Sequence, residues 1–104
     1  MSGYRVEYLP AAFTGIEEIF RYVLDGSQNH VTAERYIDRI YERCDNIADV
    51  PFGGVSRADL GPDLRMVVFE RKVIVLYRVE ADTILITNIF SGGRDYETLM
   101  RDHR

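Results

Sequence analysis

The apolar residues between positions 64 and 90 predict three β-strands joined by tight turns. The strand-like runs are residues 64–69, 73–79 and 83–90, and they are rich in Val, Ile, Tyr and Phe. Such short connections between β-prone runs favour an antiparallel meander over a buried helix. The middle run is apolar at both odd and even positions, so we expect a central strand with both faces covered.

An alternating pattern near the start of the chain predicts a further strand. At residues 4–9, Tyr4, Val6 and Tyr8 share one face, and charged residues occupy the positions between them. Such alternation is typical of a half-buried strand. Pro10 ends the pattern, because proline has no N–H group for the sheet ladder.

Apolar residues at three- and four-residue spacing predict two helices after this strand. The first begins within residues 11–16, where Thr14 has the capping-box spacing to an acidic residue. It ends at residues 25–27, where Gly26 suits a left-handed cap. The second helix covers about residues 29–49, and its charged residues alternate in sign on the outer side, as on a solvated surface. The two apolar stripes and the short connection predict an antiparallel helical hairpin.

The predicted order of elements is therefore β-α-α-β-β-β. The fold class is α+β, with the helical hairpin packed on one face of a small antiparallel sheet. A chain of 104 residues is expected to form one domain over residues 1–104. A C-terminal tail from about Arg94 has the pattern of one or two helical turns, and so short a segment must dock to be stable.

The charge of the chain argues against binding of DNA or RNA through phosphate contacts. The net charge is −4, and residues 1–52 hold five Arg against nine Asp and Glu. Proteins that bind DNA or RNA through phosphate contacts usually show a basic excess, so we expect no direct sequence-specific nucleic-acid binding. Arg57, Arg65 and Arg78 remain possible anion contacts in the second half.

The residue types that carry catalysis or bind metals are sparse. Cys44 is the one cysteine, and its place in a helical pattern predicts a buried small hydrophobe. His30 and His103 have no partner at metal-ligand spacing, so we expect no metal and no cofactor. No membrane span or signal peptide is visible, which predicts a cytoplasmic protein without a membrane partner.

Several pieces in order along the chain resemble the ParE branch of the RelE/ParE toxin superfamily of type II toxin–antitoxin systems. They are YRVEYLPAA at 4–12, IEEIFRYV at 16–23, AERYI at 33–37, PFGG at 51–54, RADL at 57–60, DLR at 63–65, VIVLYRV at 73–79 and SGGRDYE at 91–97. The resemblance implies the same β-α-α-β-β-β fold. It also implies a cognate ParD-like antitoxin and a hetero-oligomer of the two proteins.

Within the superfamily, the RelE branch cuts mRNA on the ribosome with a cluster of Lys and Arg, and with a C-terminal tyrosine or histidine in some members. The matching positions for the sheet cations fall at Met66, Val68 and Ile74, which are apolar in this chain. Arg94 matches a basic position near the C-terminus, but Tyr96 does not lie at the expected offset. The resemblance therefore implies no catalytic residues here.

The ParE branch poisons DNA gyrase by binding it and stabilising cleaved DNA. We expect that function for this chain, with target contacts in the C-terminal segment. The candidate target-binding residues are Arg94, Asp95, Tyr96, Leu99 and Met100. Two alternatives stay open: a ribosome-dependent mRNA endoribonuclease of the RelE type, and a non-toxic protein-binding member of the family.

The predicted antitoxin surface lies on the sheet. A two-helix hairpin covers only one face, and apolar residues on the meander are expected to line the other. The candidates are Met66, Val68, Ile74 and Leu76. An uncovered apolar face of this kind marks a binding site, which an antitoxin tail would fill as a helix in a groove or as an added strand.

Overall fold

The computed structural model describes residues 3–91 and 95–102. A five-stranded sheet carries two long helices on one face. In chain order the elements are β1 (Arg5–Tyr8), α1 (Pro10–Ser27), α2 (His30–Asn46), a 3₁₀ turn (Ile47–Asp49), β2 (Val55–Ser56), β3 (Arg65–Phe69), β4 (Val73–Glu80), β5 (Thr83–Ser91) and α3 (Tyr96–Asp102).

The α+β class and the order of the main elements are confirmed, with a correction to the sheet. Its strand order is β1-β5-β4-β3-β2. The meander from β3 to β5 is antiparallel as predicted, but β1 pairs with β5 in parallel, so the sheet is mixed. The two-residue strand β2 was not predicted. It pairs with the start of β3 through Val55 opposite Met66.

Helix α1 packs against β5 and α2, and this layer holds the larger core. Alternate residues of β4, among them Val73, Val75 and Tyr77, point into it, as the pattern predicted. Gly15 lies where the α1 backbone comes close to β5. A Cβ built on Gly15 would stand 1.8 Å from the carbonyl oxygen of Ile89, so no larger residue fits without moving the helix.

The predicted helix ends were partly wrong. Helix α1 begins at Pro10, because proline is favoured in the first turn, and Thr14 lies inside it. Gly26 is helical, and the left-handed cap is Gln28, with φ of 55° and its N–H bonded to the carbonyl of Leu24. Asn29 then caps α2 by accepting a hydrogen bond from the N–H of Thr32.

The second face of the sheet is covered by the chain itself, contrary to the sequence-based expectation. Leu60 and Leu64 lie in the crossing loop, residues 57–64 between β2 and β3. They pack on Ile74 and Leu76 of β4, and all four are buried. Further cover comes from half-buried residues of β3, β5 and α3, namely Met66, Phe90, Tyr96 and Met100. This smaller core joins the C-terminal helix to the sheet. Within the described ranges, no helix is long and apolar enough to span a membrane.

Candidate functional site

Arg57 is the centre of a polar cluster on the second face of the sheet. Its guanidinium donates two hydrogen bonds to the Asp59 carboxylate, at 3.0 and 2.9 Å, and forms an ion pair with Glu97 of α3. It also donates to the Tyr96 hydroxyl at 3.3 Å and to the Met66 sulfur at 3.6 Å. Only 14% of the Arg57 side chain is exposed. Arg57 therefore fastens α3 to the crossing loop.

The charges in this cluster largely cancel. Hydrogen bonds to Asp59, and then to Glu97, raise the pKa of Arg57 above its usual range, while Arg57 lowers the pKa of Asp59. Arg101 lies beside the same carboxylate, 3.7 Å from Asp59. Arg57, Arg101 and the Tyr96 hydroxyl converge here, but the carboxylates of Asp59 and Glu97 neutralise the charges of the two arginines. The donors of Arg57 have partners within the chain, and its role as a contact for an external anion stays a prediction.

The predicted target-binding residues fall on α3 and just before it. Asp95 precedes the helix and accepts hydrogen bonds from the N–H and hydroxyl of Thr98, at 3.3 and 2.7 Å, and these lower the pKa of Asp95. The Tyr96 ring stacks on Phe90, with centroids 6.2 Å apart. Leu99 and Met100 are half-buried. Arg94 lies outside the described residues.

The predicted antitoxin-binding residues divide into two pairs. Ile74 and Leu76 are buried beneath the crossing loop and α3, so the expectation that they form an open surface is wrong. Met66 is half-buried, and Val68 is 44% exposed on the same face of β3. Beside them Val55 of β2 is also exposed. The open apolar surface therefore lies at the β3 edge and not over the middle of the sheet.

Arg65 and Arg78 also make contacts within the chain. Arg65 donates to the carbonyl oxygens of Phe52 and Gly54, at 3.0 and 2.9 Å, and its Cζ lies 5.2 Å from the centre of the Phe52 ring. Arg78 forms an ion pair with Glu80. These contacts use one nitrogen of each guanidinium, Nη1 of Arg65 and Nε of Arg78, so the role of both residues as anion contacts stays a prediction.

The loop between the 3₁₀ turn and β2 holds apolar side chains in solvent, a feature that the sequence-based candidates missed. Two hydrogen bonds from the buried Tyr77 hydroxyl hold the backbone of this loop. The hydroxyl donates to the Pro51 carbonyl at 2.9 Å and accepts from the Gly54 N–H at 3.0 Å. Val50, Phe52 and Val55 are 64%, 60% and 63% exposed. The sequence contained a signal for this exposure. Phe52 lies in a Pro-Phe-Gly-Gly turn, and turns of this composition lie at the protein surface and not in the core.

A cleft of about 650 Å³ lies between the crossing loop, α3 and the start of α1. Its walls are mostly apolar, including Leu9, Leu60 and Met100, with Asn88 and Arg78 as polar members. Thr87 also lines it, and its hydroxyl donates to the Leu76 carbonyl at 3.3 Å. The cleft therefore offers shape and apolar contact for a partner group.

The described residues contain no cluster of three or more His, Cys, Asp or Glu able to hold a metal ion. Cys44 is buried, as predicted, and burial raises the pKa of its thiol to about 11. The thiol is therefore protonated near neutral pH and is a poor nucleophile.

Comparison with known proteins gives a family and a fold. The family model of the ParE toxin of the type II toxin–antitoxin system parDE matches residues 6–96. A solved structure of the chromosomal ParDE toxin–antitoxin system from P. aeruginosa superposes with a TM-score of 0.72 at 18% identity. The match covers 88% of this chain and 98% of that one. Among curated protein sequences, none matches significantly.

Proposed function

The chain belongs to the ParE toxin family of type II toxin–antitoxin systems, and from this premise we propose that it inhibits DNA gyrase by binding it. In this proposal the protein acts in the cytoplasm and catalyses no reaction of its own. A cognate ParD-like antitoxin neutralises it within a hetero-oligomer.

The observation that carries the proposal is the neutralised Arg57 cluster. Cleavage of RNA by a RelE-type mechanism needs cations that stabilise added negative charge on a phosphoryl group. Arg57 lies within hydrogen-bond distance of the Tyr96 hydroxyl, but Asp59 and Glu97 occupy its guanidinium. The carboxylates would also repel a phosphate. This arrangement favours a protein-binding toxin over a nuclease.

For the gyrase contact we propose the C-terminal segment together with the exposed loop. Helix α3 is held against the sheet by Arg57 and by the Tyr96–Phe90 stack. The loop presents Phe52 on a backbone pinned by Tyr77. Apolar and aromatic side chains fixed before binding lose little entropy when a partner arrives, so such residues often carry much of the binding energy.

For the antitoxin we propose the apolar edge formed by Val55, Met66 and Val68. Strand β2 pairs only with the first two residues of β3, so among the described residues no strand pairs with the edge of β3 away from β4 from Val67 to Phe69. An edge of this kind is a template for an added strand. An extended part of the antitoxin tail would pair here and cover the exposed Val68.

A supercoiling assay tests the proposal directly. Purified chain is added to DNA gyrase and relaxed plasmid, and we expect supercoiling to stop once the chain is in stoichiometric excess. Primer extension on translated mRNA runs in parallel, and we expect no new 5′ ends. Unchanged supercoiling together with new 5′ ends would replace the proposal with the RelE-type nuclease.

A further inference from the structure

The backbone of the exposed loop at residues 50–54 is held by one buried side chain. Tyr77 of β4 is fully buried, and its hydroxyl bridges the Pro51 carbonyl and the Gly54 N–H. Gly54 lies so close to this hydroxyl that a Cβ built on it would stand 2.6 Å from the oxygen. No larger residue therefore fits at position 54 while both hydrogen bonds are kept. Through Tyr77, the sheet fixes the path of a loop at the surface.

Arg65 of β3 is a second support of the same loop. Its Nη1 donates to the carbonyls of Phe52 and Gly54, and its Cζ lies 5.2 Å from the centre of the Phe52 ring. A guanidinium over an aromatic ring is attracted by the negative face of the ring. Within the described part of the chain, Nε and Nη2 of Arg65 have no hydrogen-bond partner. The guanidinium therefore orients the ring and keeps donors for another molecule.

The side chains that these supports carry are apolar and open to solvent. Phe52 is 60% exposed, and Val50 beside it is 64% exposed. Asp63 lines a shallow depression together with Phe52 and Arg65, but it forms no ion pair with Arg65 in the described ranges. A ring that is fixed in place, with a cation at its side, is complementary to an apolar pocket that carries a carboxylate at its rim.

We propose that Phe52 enters an apolar pocket of the target protein, that Arg65 pairs with a carboxylate at the rim of this pocket, and that Tyr77 is a positioning residue. Tyr77 touches no partner and acts through the backbone of the loop. A side chain that is held before binding loses less conformational entropy on association. The inference rests on the proposed function, in that the target is gyrase. It adds the chemistry of the target's pocket and the residue that fixes the loop.

A double-mutant cycle, measured as binding to purified gyrase, tests the role of Tyr77. Phe52→Ala should weaken binding by at least about tenfold through loss of the anchoring ring. Tyr77→Phe removes only the hydroxyl and should weaken binding by about three- to tenfold, because the loop must then be ordered on association. In the Phe52→Ala background, Tyr77→Phe should change binding by less than about twofold, since no ring is left to position. A merely structural role of Tyr77 would give the same loss in both backgrounds.

The matched control is Tyr41→Phe, which removes the hydroxyl of a half-buried tyrosine in α2 and should bind within about twofold of the original chain. Amide exchange at Gly54 reports on the loop directly. It should increase in Tyr77→Phe and stay unchanged in Tyr41→Phe. Thermal melts check that each variant folds. If Tyr77→Phe does not fold, Gly54→Ala takes its place, because the added Cβ pushes the loop away from the same hydroxyl.

The carboxylate at the rim is tested by the salt dependence of binding. Arg65→Gln removes the charge and should weaken binding by about threefold or more. It should also reduce the dependence of binding on ionic strength, because salt screens a charge pair at the edge of an interface. Phe52→Ala should keep the salt dependence of the original chain. Arg35→Gln removes an equal charge from the exposed side of α2 and should leave affinity and salt dependence unchanged.

The inference is overturned by full binding of Phe52→Ala, by equal losses from Tyr77→Phe in both backgrounds, or by unchanged salt dependence of Arg65→Gln. Growth arrest on induction separates these results from failure of the proposed target. If the original chain arrests growth without binding gyrase, the target is wrong, and the variants are compared by growth arrest. Loss of arrest in Phe52→Ala but not in Tyr41→Phe then supports the loop contact, and arrest by Phe52→Ala overturns it. A folded chain that neither arrests growth nor binds gyrase overturns both proposals.

Discussion

At the scale of the residue, Arg57 shows what the sequence could and could not predict. Its charge made it a candidate anion contact, and the structure does place anions beside it. Those anions are Asp59 and Glu97 of the same chain, and Glu97 is 40 residues away in sequence. Patterns of residue types do not encode which distant side chains meet. Phe52 was missed for a related reason, since exposure depends on how Tyr77 and Arg65 hold its loop.

Gly15 gives a sharp test of the packing between α1 and the sheet. Gly15→Ala places a methyl group against the Ile89 carbonyl, and the helix must shift away. We expect the free energy of unfolding to fall by about 2 kcal/mol or more, as for overpacked cores. Urea denaturation with an unchanged m-value measures the difference.

Gly26 in the same helix provides the matched control. A Cβ at Gly26 meets nothing within 4 Å. Gly26→Ala should raise the free energy of unfolding by about 0.5 to 1 kcal/mol, because alanine favours the helical backbone more than glycine does. Equal effects of the two substitutions would contradict the close approach of α1 to β5.

At the scale of the element, periodicity predicted most of the strands and helices because it is a local signal. The alternate residues of β4 and the two apolar stripes of the hairpin follow it closely. The parallel pairing of β1 with β5 could not be predicted in this way, because it joins Arg5 to Thr83 across most of the chain. The sequence did not predict that α3 helps to cover Ile74 and Leu76. A terminal helix this short is stable only when it docks, and the place where it docks is not a local property of its sequence.

Docking of α3 is expected to depend on Arg57. Arg57→Met removes the ion pairs to Asp59 and Glu97, and we expect the free energy of unfolding to fall by about 1 to 2 kcal/mol, since both carboxylates remain partly exposed. Amide exchange within α3 should increase more than exchange in β4. Arg35→Met, on the exposed side of α2, is the control and should leave both unchanged. Unaltered exchange in α3 would show that Arg57 does not hold it.

The same docking should weaken in acid. The pKa values of Asp59 and Asp95 are lowered, by hydrogen bonds from Arg57 and from Thr98 respectively. Their contribution is therefore present above the usual carboxyl pKa of about 4 and is lost as the pH falls through the lower native values. We expect α3 amides to lose protection below about pH 4 before the β4 amides do. Simultaneous loss in both elements would contradict separate docking of α3.

At the scale of the whole molecule, the identity of the family was visible in the order of short sequence pieces, none of which is specific alone. The family model over residues 6–96 confirms that resemblance. The candidate binding surfaces were harder to predict, because they are the apolar areas that the chain's own loops and helices leave exposed. The loop between β2 and β3 and the C-terminal helix α3 cover the middle of the second sheet face, whereas Val68 on the β3 edge and Phe52 in the loop before β2 stay exposed.

We propose that the protein acts by holding gyrase on cleaved DNA, without breaking a bond itself. Gyrase is incubated with supercoiled plasmid and the purified chain, and the enzyme is then denatured and digested. We expect linear plasmid to accumulate with added chain, and to disappear when the antitoxin is added first. If no linear DNA forms at any excess of folded chain, the protein does not act by trapping gyrase on cleaved DNA.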